Sequence, residues 1–133
     1  MTEHSDICDV LIRYATGIDR RDWLLFRTVF TDDCVLDYGE IGSWHGVDAV
    51  TEFMDQSHAM AGHTMHRLTN MAVAIDGDSA TSRTYVDGLI LAPDNMSGVN
   101  AVGFYDDRLT RTADGWRIAE RRFTPVRISQ VGS

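Results

Sequence analysis

The stretch HTMHRLTN, residues 63–70, carries two histidines three apart on a segment that alternates like a β-strand. An imidazole titrates near neutral pH, so it suits proton transfer or metal binding. A spacing of three on a strand points the two side chains to opposite faces. Neither an HExxH pattern nor a Cys/His cluster accompanies them, so no metal site is expected. What remains is a catalytic base or two polar residues at a sheet edge, and the spacing alone does not choose between them. Tyr14, Asp19, Tyr38, His66, Asp87 and Arg127 are the polar residues set within otherwise apolar patterns. Each has an ordinary structural explanation. Asp19 can be a turn-forming acid at a helix end, and Tyr14 a core tyrosine with its hydroxyl at the rim. His66 shares its alternation with Leu68, Ala72 and Ala74, whereas Met65, Met71, Val73 and Ile75 take the other parity, so either face could be the inner one.

Nucleophilic chemistry is not expected. GxSxG is absent, and Cys8 and Cys34 have no CxxC spacing and read as two buried free thiols. No Gly-rich loop joins a strand to a helix as a phosphate site requires, so no cofactor is implied.

The elements that must position these residues follow from periodicity. Residues 5–19 place Ile7, Val10, Leu11, Tyr14, Ala15 and Ile18 on one helical face behind Ser5 as N-cap. Residues 22–29 form a short helix capped by Asp22, followed by a strand at about 34–38. After a Gly-containing loop, residues 47–60 form a third helix with Gly62 as its stop. Segments 64–75, 79–91, 100–112 and 115–127 are β-rich and separated by DGD, PDNMSG and ADG turns. Helices first and an antiparallel meander afterwards is an α+β order: one domain over residues 1–133, with a curved, mostly antiparallel sheet wrapped around three helices and enclosing a pocket. Trp44, Phe26, Phe53, Met54 and Phe104, with Leu25, Val29 and Met60, are the expected walls, suited to a flat hydrophobic ring system.

A net charge of −8 opposes binding to phosphate backbones and anionic membranes. Nucleic acid and membrane partners are therefore not expected. The first residues lack a basic region followed by an apolar one, and no run reaches the length of a membrane span, which points to the cytoplasm. Alternation in 79–91 and 100–112 leaves both sheet faces partly apolar.

The phrases YATGIDRRDW (14–23), FTDDCVLDY (30–38), HGVDAVTEFM (45–54), HRLTNMAVAIDGDSA (66–80) and GFYDDRLTRTADGWRIAERR (103–122) resemble a SnoaL-like domain. This domain belongs to the cone-shaped α+β superfamily of nuclear transport factor 2 and ketosteroid isomerase. Its nearest pattern is the dehydratase branch, which includes scytalone dehydratase and bile-acid 7α-dehydratase. The resemblance implies that Asp19, at the end of the first helix, pairs with His66, on the strand after the third. It implies that Tyr14 and Tyr38 are pocket tyrosines, that Asp87 is an acid on the following strand, and that Arg127 is a substrate-binding arginine. Taken with the partly apolar sheet faces, it also implies a homodimer or homotrimer. Two departures stand out. The third strand offers TYVDGLIL where scytalone dehydratase has a second pocket histidine, and Ile18 replaces the tyrosine before the acid.

The implied activity is that of a cofactor-independent lyase of the dehydratase type. Its substrate would be a small hydrophobic cyclic molecule such as a polyketide, steroid or terpenoid intermediate, with His66 as base and Asp19 as its orienter. A double-bond isomerase using the same dyad, and a binding module without turnover, are the alternatives.

Overall fold

The computed structural model describes residues 2–132, so the outermost residue at each end of the expected 1–133 unit lies outside the described residues. Helix α1 spans Glu3–Asp19, α2 Trp23–Arg27 and α3 Val47–Ala59; strands are β1 Phe30–Asp37, β2 Ser43–His45, β3 Thr64–Asp76, β4 Ser79–Leu91, β5 Gly98–Thr112 and β6 Gly115–Val131. The strands form one curved sheet in the order β2-β1-β6-β5-β4-β3, with β1 parallel to β6 and the other neighbours antiparallel.

Helix α1 starts earlier than its apolar pattern suggests. Thr2 is the N-cap and Ser5 the third helical residue, and each side chain bonds the other's backbone N–H in a capping box. Asp22 caps α2 by accepting from the Leu25 backbone N–H at 3.0 Å. Gly17 lets the two helices meet: a Cβ there would lie 2.9 Å from the Phe26 backbone, closer than side-chain carbons pack. The third helix ends on Met60, not on a left-handed glycine at Gly62. Strand β2 fell in what the apolar pattern reads as a loop; three residues are too few to display alternation.

The mixed parity of residues 64–75 has a local cause. Asn70 adopts a left-handed conformation (φ 52°), and the β3–β4 register shifts between Thr69 and Ala72. This β-bulge moves the inward parity from Thr64, His66 and Leu68 to Met71 and Val73, so both sets face the helices. The inner face packs Leu36, Leu109 and Ile118 against Ile7, Leu11 and Val50 with essentially no exposure. No helix among the described residues is long and apolar enough to cross a membrane.

Candidate active site

Asp19 ends α1, and Arg20 and Arg21 turn the chain away, Arg21 in a left-handed conformation (φ 56°). That turn brings the Asp19 carboxylate to the start of β3. Its Oδ1 accepts from Thr64 Oγ1 at 2.9 Å and lies 2.7 Å from His66 Nδ1, while Oδ2 accepts from the His66 backbone N–H at 2.9 Å. Arg21 fixes the joint by donating to Thr64 Oγ1 (2.8 Å), the Gly62 carbonyl (2.7 Å) and the Ile18 carbonyl (2.9 Å).

Burial pushes the Asp19 carboxyl up, but the hydrogen bonds from the His66 side chain and backbone, the charge of His66 and the Thr64 hydroxyl together outweigh it and hold Asp19 below the ordinary carboxylate value. An ionised carboxylate only accepts, so the proton of neutral His66 sits on Nδ1 and its Nε2 carries the lone pair. The His66 side chain is 10% exposed and borders an apolar cavity of about 250 Å³. Gly88 lies opposite it on β4, and a Cβ there would sit 3.6 Å from His66 Cδ2 and 3.8 Å from Nε2. Glycine thus leaves the Nε2 edge of the ring uncovered by a side chain.

Tyrosines line the same cavity, the Tyr14 ring edge-on to the His66 ring at 6.4 Å between centres. Tyr14 and Tyr38 hydroxyls are 2.6 Å apart. One O–H serves that bond, which leaves the other for a ligand. Burial, reinforced by Tyr14 and Tyr105 and opposed by Arg121, raises Tyr38 well above its ordinary value, so it stays a donor. Beneath them Arg121 stacks on the Tyr14 and Tyr105 rings, at 4.2 and 3.8 Å, and forms a bidentate pair with Asp107 at 2.7 and 2.8 Å.

The sequence-based candidates divide. Asp19, His66, Tyr14, Tyr38, Phe53 and Met54 come together at the cavity or its support. Trp44 packs tilted against Phe53 (4.4 Å) and edge-to-face against Tyr38 (5.4 Å), behind the lining. Phe26 does not reach the cavity: it is fully buried in the core against Tyr14 because α2 packs tightly on α1.

Asp87, Arg127 and Phe104 lie on the other face. Asp87 pairs in register with Arg67 and Val102, and Val102 with Arg127, so this row points away from the helices. Asp87 is bound instead by Arg67 at 3.1 Å and by Asn100 at 2.6 Å. Phe104 lies under Arg83, 4.3 Å from its ring centre. The inward aromatic is its neighbour Tyr105, and the two are distinguished only by strand parity. His63 is exposed, facing a more polar cleft that also touches Asp19 and His58. Cys34 is buried, its thiol pushed up to about 11 by burial, whereas Cys8 is only half-buried.

Sequence reading missed Thr64, Arg21, Tyr105 and His58. A signal existed for the last: His58 follows Met54 by four on the same helical face. Among the described residues no group of three or more His, Cys, Asp or Glu could hold a metal ion.

Comparison with known proteins agrees with this architecture. A family model described as a SnoaL-like domain matches residues 1–122. An uncharacterised protein of Mycobacterium tuberculosis is 31% identical over 123 residues, covering 91% of this chain and 84% of its own. A scytalone dehydratase-like protein of Novosphingobium aromaticivorans superposes with a TM-score of 0.87 at 17% identity over 94% of this chain and 85% of its own. A hexachlorocyclohexane dehydrochlorinase does so with a TM-score of 0.87 at 16% identity, over 97% and 88%. At these identities the two structures share the fold.

Proposed function

We propose that this chain, which belongs to the SnoaL-like domain family, is a cofactor-independent lyase that eliminates water from a small hydrophobic cyclic β-hydroxy carbonyl compound. The observation that carries this reading is the Asp19–His66 pair at 2.7 Å, with the unprotonated Nε2 edge of His66 beside an apolar cavity. Such an elimination needs a base for the α-proton and a donor for the developing enolate. His66 Nε2 is the base, Asp19 holds its tautomer and stabilises the imidazolium once formed, and the free O–H of the Tyr14–Tyr38 pair meets the enolate oxygen. A cavity of about 250 Å³ lies just below the usual range for drug-sized ligands, which favours one or two fused rings.

Incubation with a panel of mono- and bicyclic β-hydroxy ketones, followed by mass spectrometry, tests the reading. A product lighter by one water supports the lyase, a product of unchanged mass with a moved double bond supports an isomerase, and binding without change supports a carrier. The working form we propose is a cytoplasmic homodimer or homotrimer joined through the outer sheet face, where Tyr85 and Val102 are exposed. Sedimentation of a monomer at micromolar concentration would count against that assembly.

A further inference from the structure

His58 has no role in the dyad, yet it borders the same cavity as His66. It stands on the last turn of α3, its ring 6.5 Å from the His66 ring and 6.2 Å from the Trp23 ring, centre to centre. Its Nδ1 lies 2.8 Å from the Met54 carbonyl and 3.0 Å from Ser57 Oγ. The Met54 carbonyl can only accept, and Ser57 Oγ has its own bond to that carbonyl at 3.2 Å. The proton of neutral His58 is therefore on Nδ1, and Nε2 is an acceptor. Burial lowers His58, with Arg21 and His66 acting in the same direction and the Met54 carbonyl and Asp19 opposing, so the neutral form prevails at neutral pH. The cavity is thus bordered by one imidazole from the sheet and another from α3, each with Nε2 as its acceptor nitrogen, their ring centres 6.5 Å apart.

We propose that His58 receives the substrate's hydroxyl, its Nε2 accepting the O–H hydrogen bond of the group that leaves. The elimination step rests on the dehydratase reading; the hydroxyl site itself rests on the geometry of His58. His66 Nε2 takes the α-proton, and the C–H electron pair moves into the enolate. The enolate then re-forms the carbonyl and the new C=C bond as the β C–O bond breaks. The departing oxygen takes the proton back from His66 and leaves as water, and its original hydrogen stays directed at His58. His66 returns to neutral, and no oxidant or reductant is involved. His58 is a positioning residue here: it turns the hydroxyl so that a lone pair, not its hydrogen, faces the protonated His66.

The test uses a probe pair with one difference. Isothermal titration should find 2-naphthol bound about tenfold more tightly than 2-methoxynaphthalene, which cannot donate, a ratio on the order of one hydrogen bond. His58→Phe should bring the ratio near one, His58→Gln should keep part of it because its carbonyl accepts, and His66→Gln should leave most of it. In the wild type, the His58 Nε2 nitrogen-15 resonance should move with 2-naphthol and stay with the methyl ether, a readout that needs no variant to fold. Equal affinities in the wild type, immeasurable ones included, a ratio that survives His58→Phe, or one that vanishes only in His66→Gln would overturn the proposal. The two readings fail separately. A His58-dependent preference with no water loss from the ketone panel removes the dehydratase and keeps the hydroxyl site. Undiminished elimination by His58→Phe removes the site and keeps the dehydratase.

Discussion

Two carboxylates each pair with a nitrogen-bearing side chain of the inner sheet face at nearly the same contact distance. Asp19–His66 closes at 2.7 Å and Asp107–Arg121 at 2.7 and 2.8 Å. Their environments differ. The side chains of the second pair are 0% and 1% exposed, sealed under Tyr14 and Tyr105; those of the first are 24% and 10% exposed and border the cavity. Arg121 cannot give up its proton, and its Nη1 is buried with no hydrogen-bond partner among the described residues. His66 has a second nitrogen with no such seal. A short ion-pair contact by itself therefore says little about function. What makes the first pair a candidate for chemistry is a titratable member with spare hydrogen-bonding capacity next to an accessible apolar space.

Breaking the sealed pair should have the largest effect on folding. Arg121→Met leaves Asp107 buried and unpaired and should cost about 3–5 kcal/mol, read as a lower denaturant midpoint. Asp19→Asn should cost about 1–2 kcal/mol because the site is half open and the amide oxygen still accepts. Its larger effect is on turnover, about 10²-fold or more in kcat, since a neutral amide does not stabilise the imidazolium and can present its NH2 to Nδ1 in place of its oxygen, which admits the wrong tautomer. If Asp19→Asn destabilises as much as Arg121→Met while sparing turnover, the contrast between the pairs fails.

Acid titration separates the pairs without touching activity. The folded pKa of Asp19 is lowered, so its contribution to stability is fully present above the ordinary carboxyl value, about 3.9, and is lost as pH falls through the lowered folded value. The stability gap between wild type and Asp19→Asn should therefore collapse in strong acid, as pH falls from the ordinary carboxyl value through the lowered folded value. A gap that persists undiminished below that range would contradict the assigned direction.

Strand parity explains most of what was legible beforehand and most of what was not. The helix and strand segments were readable because Ile7, Val10, Leu11 and Ile18 repeat at helical spacing and the DGD and ADG turns mark hairpins. Asp19 and His66 were reachable through the family pattern, although 47 residues separate them in sequence. Parity does not by itself separate adjacent aromatics, and the inward one is Tyr105, not the expected Phe104. Parity also fails at the Asn70 bulge, because a single left-handed residue moves the inner face by one position. Asp87 and Arg127 were carried over from relatives to positions whose register here faces outward. His58 went unread because a histidine at the end of a helix resembles a C-terminal charge complement.

Smaller effects sharpen the site. Tyr38→Phe removes one hydroxyl of the 2.6 Å pair and should lower kcat by about 10²-fold with little change in stability, as for loss of one oxyanion donor. Thr64→Val removes a donor to Asp19 and the hydroxyl bridge from Arg21, and a drop of roughly 1 kcal/mol in transition-state stabilisation is expected, seen as several-fold lower kcat/KM.

The most direct measurement compares wild type with His66→Gln on whichever ketone of the panel loses water. The dehydratase account predicts that the variant remains folded, binds the compound with similar affinity and forms the dehydrated product at least about 10²-fold more slowly. The double variant with Asp19→Asn should lose little more, because both residues serve one proton transfer. Elimination by His66→Gln at the wild-type rate, or losses that multiply in the double variant, would show that His66 is not the base.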